Sequence, residues 1–171
     1  MEFDKLITER YSVRNYSDKP VEKEVLEQIL AAGNKAPTAK NKQPQRIYVL
    51  QSEEAIASIR KITRCAYNAP VVLVFTYKKD EEFVNPLGSG YHSGDQDVAI
   101  VATHIMLKAA DLGLGTVWVN WFPTAETIEA FNIPDDERLV LIMPLGYPSI
   151  NSVPAENHFK EKALEETVKY L

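Results

Sequence analysis

One cysteine, Cys65, is all the thiol this chain contains, so no disulfide can form within it and nothing points to an oxidising compartment. Histidine is nearly as scarce. His92, His104 and His158 are scattered and stand in no ligand spacing with Cys65 or the acids, which leaves no recognised metal site. His104 falls in an apolar helical stretch and reads as a packed, hydrogen-bonded side chain. No apolar run approaches the length of a membrane span, and the start Met1-Glu2-Phe3-Asp4 lacks the basic residues and apolar stretch of a secretion signal, so a cytoplasmic protein is expected. Positive charge is not in excess either: 19 Lys and Arg against 24 Asp and Glu leave −5, which argues against general nucleic-acid binding. An anion site here must be a local basic cluster.

What is present is ordinary for a globular protein: 171 residues, 45% hydrophobic and 25% charged. A chain of this length buries roughly two-thirds of its unfolded surface, and no repeat or linker divides it, so one domain over residues 1–171 is expected. The spacing of its apolar residues predicts a short helix over 2–9 and a second over 22–32, where Val25, Leu26, Ile29 and Leu30 share a face and Gly33 is a natural stop. Residues 34–44, bracketed by Pro37 and Pro44, form a polar loop. A strand at 47–50 and a helix at 53–63 follow. The unbroken run Val71-Val72-Leu73-Val74-Phe75 predicts a strand covered on both faces. Residues 79–94 read as a mobile polar excursion. The longest helix, 97–112, is apolar almost all round and so buried on more than one side, for which a subunit interface is a reasonable cause. A third strand at 116–119, a helix at 124–131, a fourth strand at 139–143 and a terminal helix at 163–171 complete the series.

The segment Arg10-Tyr11-Ser12-Val13-Arg14 is the most informative. In extended backbone Arg10, Ser12 and Arg14 project to one side and Tyr11 and Val13 to the other. Two guanidinium forks and a hydroxyl make a surface shaped for phosphate. The alternative is a solvated segment whose arginines meet Glu9 and Asp18. Gly113-Leu114-Gly115-Thr116-Val117-Trp118 imitates a dinucleotide fingerprint but fails it. Trp118 replaces the third glycine, and the order is helix, glycines, strand, the reverse of what the fingerprint needs. No phosphate loop, nucleophile elbow, or His and Cys catalytic pair is visible.

The basic strip, the Pro37 to Pro44 loop, the Gly113 to Phe122 stretch and Pro144-Leu145-Gly146-Tyr147-Pro148, in this order, resemble the FMN-dependent nitroreductase family over about residues 4–148. The resemblance implies an α+β fold, a mostly antiparallel central sheet flanked by helices, working as a homodimer with FMN at the subunit interface. It assigns Arg10 and Ser12 to the FMN phosphate and ribityl end with the Tyr11 backbone close by. Arg14 falls to the N1 and O2 edge of the flavin, which it would tune. Pro37, Thr38, Ala39 and Asn41 correspond to the loop that the partner subunit lays along the cofactor. Trp118, Val119, Asn120 and Trp121 correspond to the strand end near flavin N5, where a backbone N–H of Asn120 or Trp121 would donate; Trp118 reads equally well as core. Two departures stand out. Relatives often carry a small residue where Trp121 stands, and often supply a C-terminal arginine to the phosphate where Lys160 and Lys162 are the nearest candidates here. Arg64 is a further basic candidate near the cofactor, or simply a surface ion-pair former.

By this resemblance the flavin carries the chemistry and no catalytic side chain is needed. NADH or NADPH would give hydride to FMN, and a small oxidised acceptor of nitroaromatic or quinone type would then take the electrons at the same face, a ping-pong scheme. The alternatives are a non-catalytic FMN store or sensor in which Trp121 and residues 79–94 cover the ring, and a narrow-substrate flavoenzyme of the same superfamily.

Overall fold

The computed structural model describes residues 2–88 and 90–171. Its centre is a four-stranded sheet of β1 (Gln45–Leu50), β2 (Val71–Lys78), β3 (Gly115–Thr116) and β4 (Glu137–Gly146), in the order β1-β2-β4-β3. Every neighbouring pair is antiparallel. The helices are α1 (Phe3–Glu9), α2 (Lys23–Gly33), α3 (Glu53–Ile62), α4 (Gly94–Asp111), α5 (Thr124–Ala130) and the single turn α6 (Leu164–Thr167).

Alternation along β2 and β4 builds a core on each face. Leu73, Phe75, Leu141, Met143 and Leu145 meet Leu26 and Ile29 of α2 and Val98, Val101 and Ile105 of α4. Val72, Val74 and Ile142 meet Ile56 and Ile59 of α3, with Ile128 of α5 packed alongside. Each such side chain contributes about 1.5–3 kcal/mol by leaving water. The run 71–75 is covered on both sides as its composition requires, and the fold is α+β with helices on both faces of an antiparallel sheet. A bulge interrupts the β2–β4 ladder: Phe75 faces Leu141 but Thr76 faces Leu139. The extra residue, Val140, turns Leu139 to the face of Ile142 and away from that of Leu141.

β3, the terminal helix, the place of His104 and the excursion at 79–94 depart from the expectations. β3 stops at Thr116, short of Val119, because the next partner would be Pro144; its carbonyl accepts from Val117 N–H (3.4 Å), but proline has no N–H to return. Val119 rejoins through one isolated bridge to Ile142. The terminal helix shrinks to Leu164–Thr167, since its residues are all exposed and a short helix is marginal without packing. His104 is hydrogen-bonded as expected, Nδ1 lying 2.9 Å from the Ile100 carbonyl, but it stands on the outward side of α4 and not in the core. The excursion 79–94 has a tied stem. Val84 bridges His92, Phe83 and Ser93 exchange hydrogen bonds, and buried Glu82 accepts from Gly94 N–H (3.1 Å) and lies 2.8 Å from His92 Nδ1. Residue 89 of this segment lies outside the described residues.

Tyr147 ties the end of the sheet to the start of α2. Its hydroxyl donates to Glu22 (2.6 Å), while Lys19 sits over its ring at 3.6 Å and 3.2 Å from the same carboxylate. The Tyr147 hydroxyl, the local backbone and Lys19 together hold the Glu22 carboxyl down at about 2. A depressed acid stabilises the fold above its ordinary range near 4.5, and that contribution fades as pH falls from there towards 2. Tyr147→Phe is expected to return Glu22 towards the ordinary value in a carbon-detected NMR titration; an unmoved midpoint would show that the hydroxyl is not the cause.

Candidate functional site

Arg10 to Arg14 runs extended beside β3. Ser12 forms a parallel bridge with Thr116, and Val13 N–H donates to the Thr116 carbonyl (3.0 Å). Val13 is buried, and the Tyr11 hydroxyl donates to the Ser152 carbonyl (3.1 Å). The strip is fixed from its end: buried Tyr16 donates its hydroxyl to the Val13 carbonyl (2.8 Å), and the Asn68 amide bonds both Tyr16 N–H (2.9 Å) and its carbonyl (2.6 Å). Burial first, then the neighbouring Tyr67, holds the Tyr16 phenol proton well above its usual range, so it remains a donor.

The arginines do not meet Glu9 or Asp18. Glu9 pairs with Lys5 (3.8 Å), and neither Arg10 nor Arg14 forms an ion pair among the described residues. Arg10 donates from Nη1 to Sδ of Met106 on α4 (3.8 Å), and Arg14 folds back so that its Nη1 donates to the Ser12 carbonyl (3.2 Å). In a chain of net negative charge, two unneutralised guanidinium groups on one strand are a local anion-attracting surface. A cavity of about 180 Å³ beside the strip is lined by Arg10, Tyr11, Val13, Leu114 and Thr116.

The loop holding Pro37, Thr38, Ala39 and Asn41 is polar and mostly exposed, yet it is shaped. Lys40, Asn41 and Gln43 occupy the left-handed region at φ 53, 55 and 49°. Such backbone persists only where surroundings impose it. Gln43 N–H donates to Thr38 Oγ1 (3.0 Å), and Ala39 N–H donates to Oδ1 of Asp97 (2.8 Å), whose Oδ2 accepts from Ser93 (2.7 Å). Asp97 is only 2% exposed and sits in the first turn of α4, where the helix dipole favours its charge. Sequence patterning flagged α4 for its apolar residues and passed over this acid; an aspartate in a first helical turn was its one local signal.

Beyond β3, Val119 exchanges hydrogen bonds with Ile142. Half-buried Trp118 donates to Asn120 Oδ1 (2.6 Å), and Asn120 Nδ2 donates to the Val140 carbonyl (2.8 Å). The Asn120 side chain is therefore occupied, while the backbone N–H groups of Asn120 and Trp121 find no acceptor among the described residues. Trp121 is 77% exposed; its carbonyl accepts from Thr63 (3.2 Å), and the Arg64 guanidinium lies 5.7 Å from its ring centre. Lys160 is exposed and paired with Glu156 (2.8 Å), not with the strip, while His158 stands edge-on to Tyr11 at 6.3 Å. Gly113 and Leu114 close α4 as a helix terminator, with Gly113 at φ 80° and Leu114 N–H reaching back to the Ala109 carbonyl (2.8 Å), which disposes of the fingerprint resemblance. Among the described residues no group of acids, histidines and cysteine could hold a metal, and no helix is long and apolar enough to cross a membrane.

The nitroreductase family model matches residues 7–67 and 63–147 of this chain, taking in the strip, the loop, the strand end and the Pro144–Tyr147 segment. The chain belongs to the nitroreductase family. A nitroreductase family protein of Clostridium difficile is 39% identical, with a TM-score of 0.92 over 99% of this chain and 98% of that one. A Methanothermobacter thermautotrophicus protein named "Putative NADH dehydrogenase/NAD(P)H nitroreductase" is 30% identical over 152 residues, 85% of this chain and 76% of the relative. The fold is shared with a protein of Exiguobacterium sibiricum solved in complex with FMN, at 18% identity and a TM-score of 0.86 over 100% of this chain and 98% of that one. In this nitroreductase family protein the strip and the strand end are thus joined through Thr116 and Val119 to one edge of the sheet.

Proposed function

We propose that this nitroreductase family protein is an FMN-dependent oxidoreductase that takes hydride from NADH or NADPH and passes the electrons to a small oxidised acceptor of nitroaromatic or quinone type. Family membership across residues 7–147 carries the reading. The residues present fit the cofactor: Arg10 and Arg14 are cations without a carboxylate partner, and Asn120 and Trp121 hold unused N–H donors. When bound, FMN accepts two electrons and a proton from the nicotinamide and yields them to the acceptor, with negative charge gathering at N1 and O2. Arg10 and Ser12, with the Tyr11 backbone, hold the phosphate and ribityl end. Pro37, Thr38, Ala39 and Asn41 lie along the ring from the partner subunit, Trp118 and Val119 set the strand end, and a backbone N–H of Asn120 or Trp121 faces N5. Lys160 is assigned to the phosphate and would have to leave Glu156 to reach it. Donor and acceptor share one face of the ring, so the kinetics are ping-pong.

The working unit is a homodimer of single-domain protomers, cytoplasmic, with FMN in interface sites. What supports the dimer is the outward side of α4, where Ile100 is 37% exposed and Leu107, seven residues on, lines one hollow with Phe3 of α1, itself 62% exposed.

An anaerobic absorbance spectrum tests the enzyme: flavin bands that bleach on adding NADH or NADPH are expected. Bands that persist would favour a store or sensor, and failure to bind added FMN would remove the reading. Arg14→Ala is expected to make the bound-flavin potential about 20–40 mV more negative and to slow reduction, since one fixed cation near the developing charge is lost. An unchanged potential would remove that role from Arg14.

A further inference from the structure

Arg64 and Trp121 come from segments far apart in the chain, yet one buried hydroxyl places both. Thr63 Oγ1 donates to the Trp121 carbonyl (3.2 Å) and accepts from Cys65 N–H (3.1 Å), so the backbones flanking the guanidinium and bearing the indole are locked together. Thr63 itself is 7% exposed, whereas Trp121 is largely in solvent with the Arg64 guanidinium 5.7 Å from its ring. No carboxylate pairs with Arg64 among the described residues. An open indole face and an unneutralised planar cation therefore stand side by side, next to whichever backbone N–H of Asn120 and Trp121 is not given to flavin N5. Left to itself an exposed tryptophan on a surface gains nothing, whereas a flat ring bearing an anionic substituent would satisfy all three: stacking on the indole, a paired contact with the guanidinium, and room for a polar group at the remaining N–H donor.

We propose that Arg64 and Trp121 form an acceptor subsite that selects planar aromatic acceptors carrying a negative charge, aromatic nitrocarboxylates being the class that fits. This rests on the flavin oxidoreductase reading, which puts Trp121 beside the reacting edge. The same chemistry, an aromatic ring beside an anion, exists in the adenosine 2′-phosphate of NADPH. Trp121 abuts the reacting edge and not the far end of a dinucleotide, which favours the acceptor. For such an acceptor each turnover consumes one NAD(P)H and one proton: the nitro group takes two electrons and two protons, becomes nitroso, and one oxygen leaves as water.

The test compares 4-nitrobenzoate with 4-nitrobenzamide, similar in shape and different in charge, on FMN-loaded protein. The wild type is expected to favour the benzoate in kcat/KM. Arg64→Gln is expected to cut that preference about fivefold, chiefly through the benzoate KM, as for an exposed ion pair. Arg64→Lys retains only part of it, because an ammonium keeps charge but loses the fork. Independently of turnover, titration with plain benzoate is expected to shift the indole N–H resonance of Trp121 in the wild type and not in Arg64→Gln. A preference unchanged in Arg64→Gln would overturn the proposal. So would equal losses on both acceptors accompanied by weaker FMN binding, which would put Arg64 on the flavin, or a KM rise confined to NADPH, which would put it on the donor. A wild type that binds no FMN but shows the benzoate shift would keep the subsite and refute the flavin reading instead.

Discussion

Gly115→Ala is expected to destabilise the protein by about 2 kcal/mol, near 5 °C in melting temperature, and to loosen FMN binding in the same variant. The Cα of Gly115 lies directly against Val13: an added methyl would stand 2.3 Å from Val13 Cγ2 and 2.6 Å from its Cβ. Valine branches at Cβ and is itself buried, so no flexible end can swing aside. Relief has to come from moving the backbone of the strip, and that carries Ser12 and Arg14 away from β3. Adding Val13→Ala removes two of the colliding atoms, so the double variant should be less destabilised than the sum of the single changes. Additive losses in thermal unfolding would show that the two residues do not press on each other.

Asp97→Ala is expected to cost about 3 kcal/mol, because a buried carboxylate that satisfies Ala39 N–H and the Ser93 hydroxyl disappears and leaves those donors unpaired. The loss should be most visible at a distance from α4. With its N–H released, Ala39 loses protection from hydrogen exchange, and the left-handed residues Lys40 and Asn41 are no longer held. FMN affinity should fall with them. Asp97→Asn keeps one acceptor oxygen and should recover part of the stability. An Ala39 amide that stays protected in Asp97→Ala would show that the loop is held by something else.

Most of the sheet could be read from local pattern, because covering by helices leaves a chemical trace in every residue of Val71–Phe75. Helix positions followed from period and stops in the same way, with α2 and α3 ending near Gly33 and Thr63. β3 was overestimated because its end is decided by Pro144, 28 residues beyond Thr116, and pairing partners are invisible to a reading of Thr116–Val119 alone. The strip was legible as alternating arginines, but whether they would find carboxylates was not. Glu9 faces Lys5, a choice made by helix geometry one turn back. Asp97, Thr63 and the bare Cα of Gly115 were hidden for one common reason: each acts on a segment remote in sequence, and a polar residue or glycine carries no mark of its distant partner.

The sheet has two borders, and the one at β3 is only two residues long. Its outer side is closed by Ser12 and Val13, and the continuing chain pairs at Tyr16 with Pro148. The arginine strip therefore occupies the place where a foreign strand would otherwise add. Any change that peels it away uncovers a template for intermolecular pairing, so weakened cofactor binding and precipitation should arrive together. On the proposed assignment of Arg10 and Ser12 to the FMN phosphate, added FMN should then act as a solubiliser during refolding.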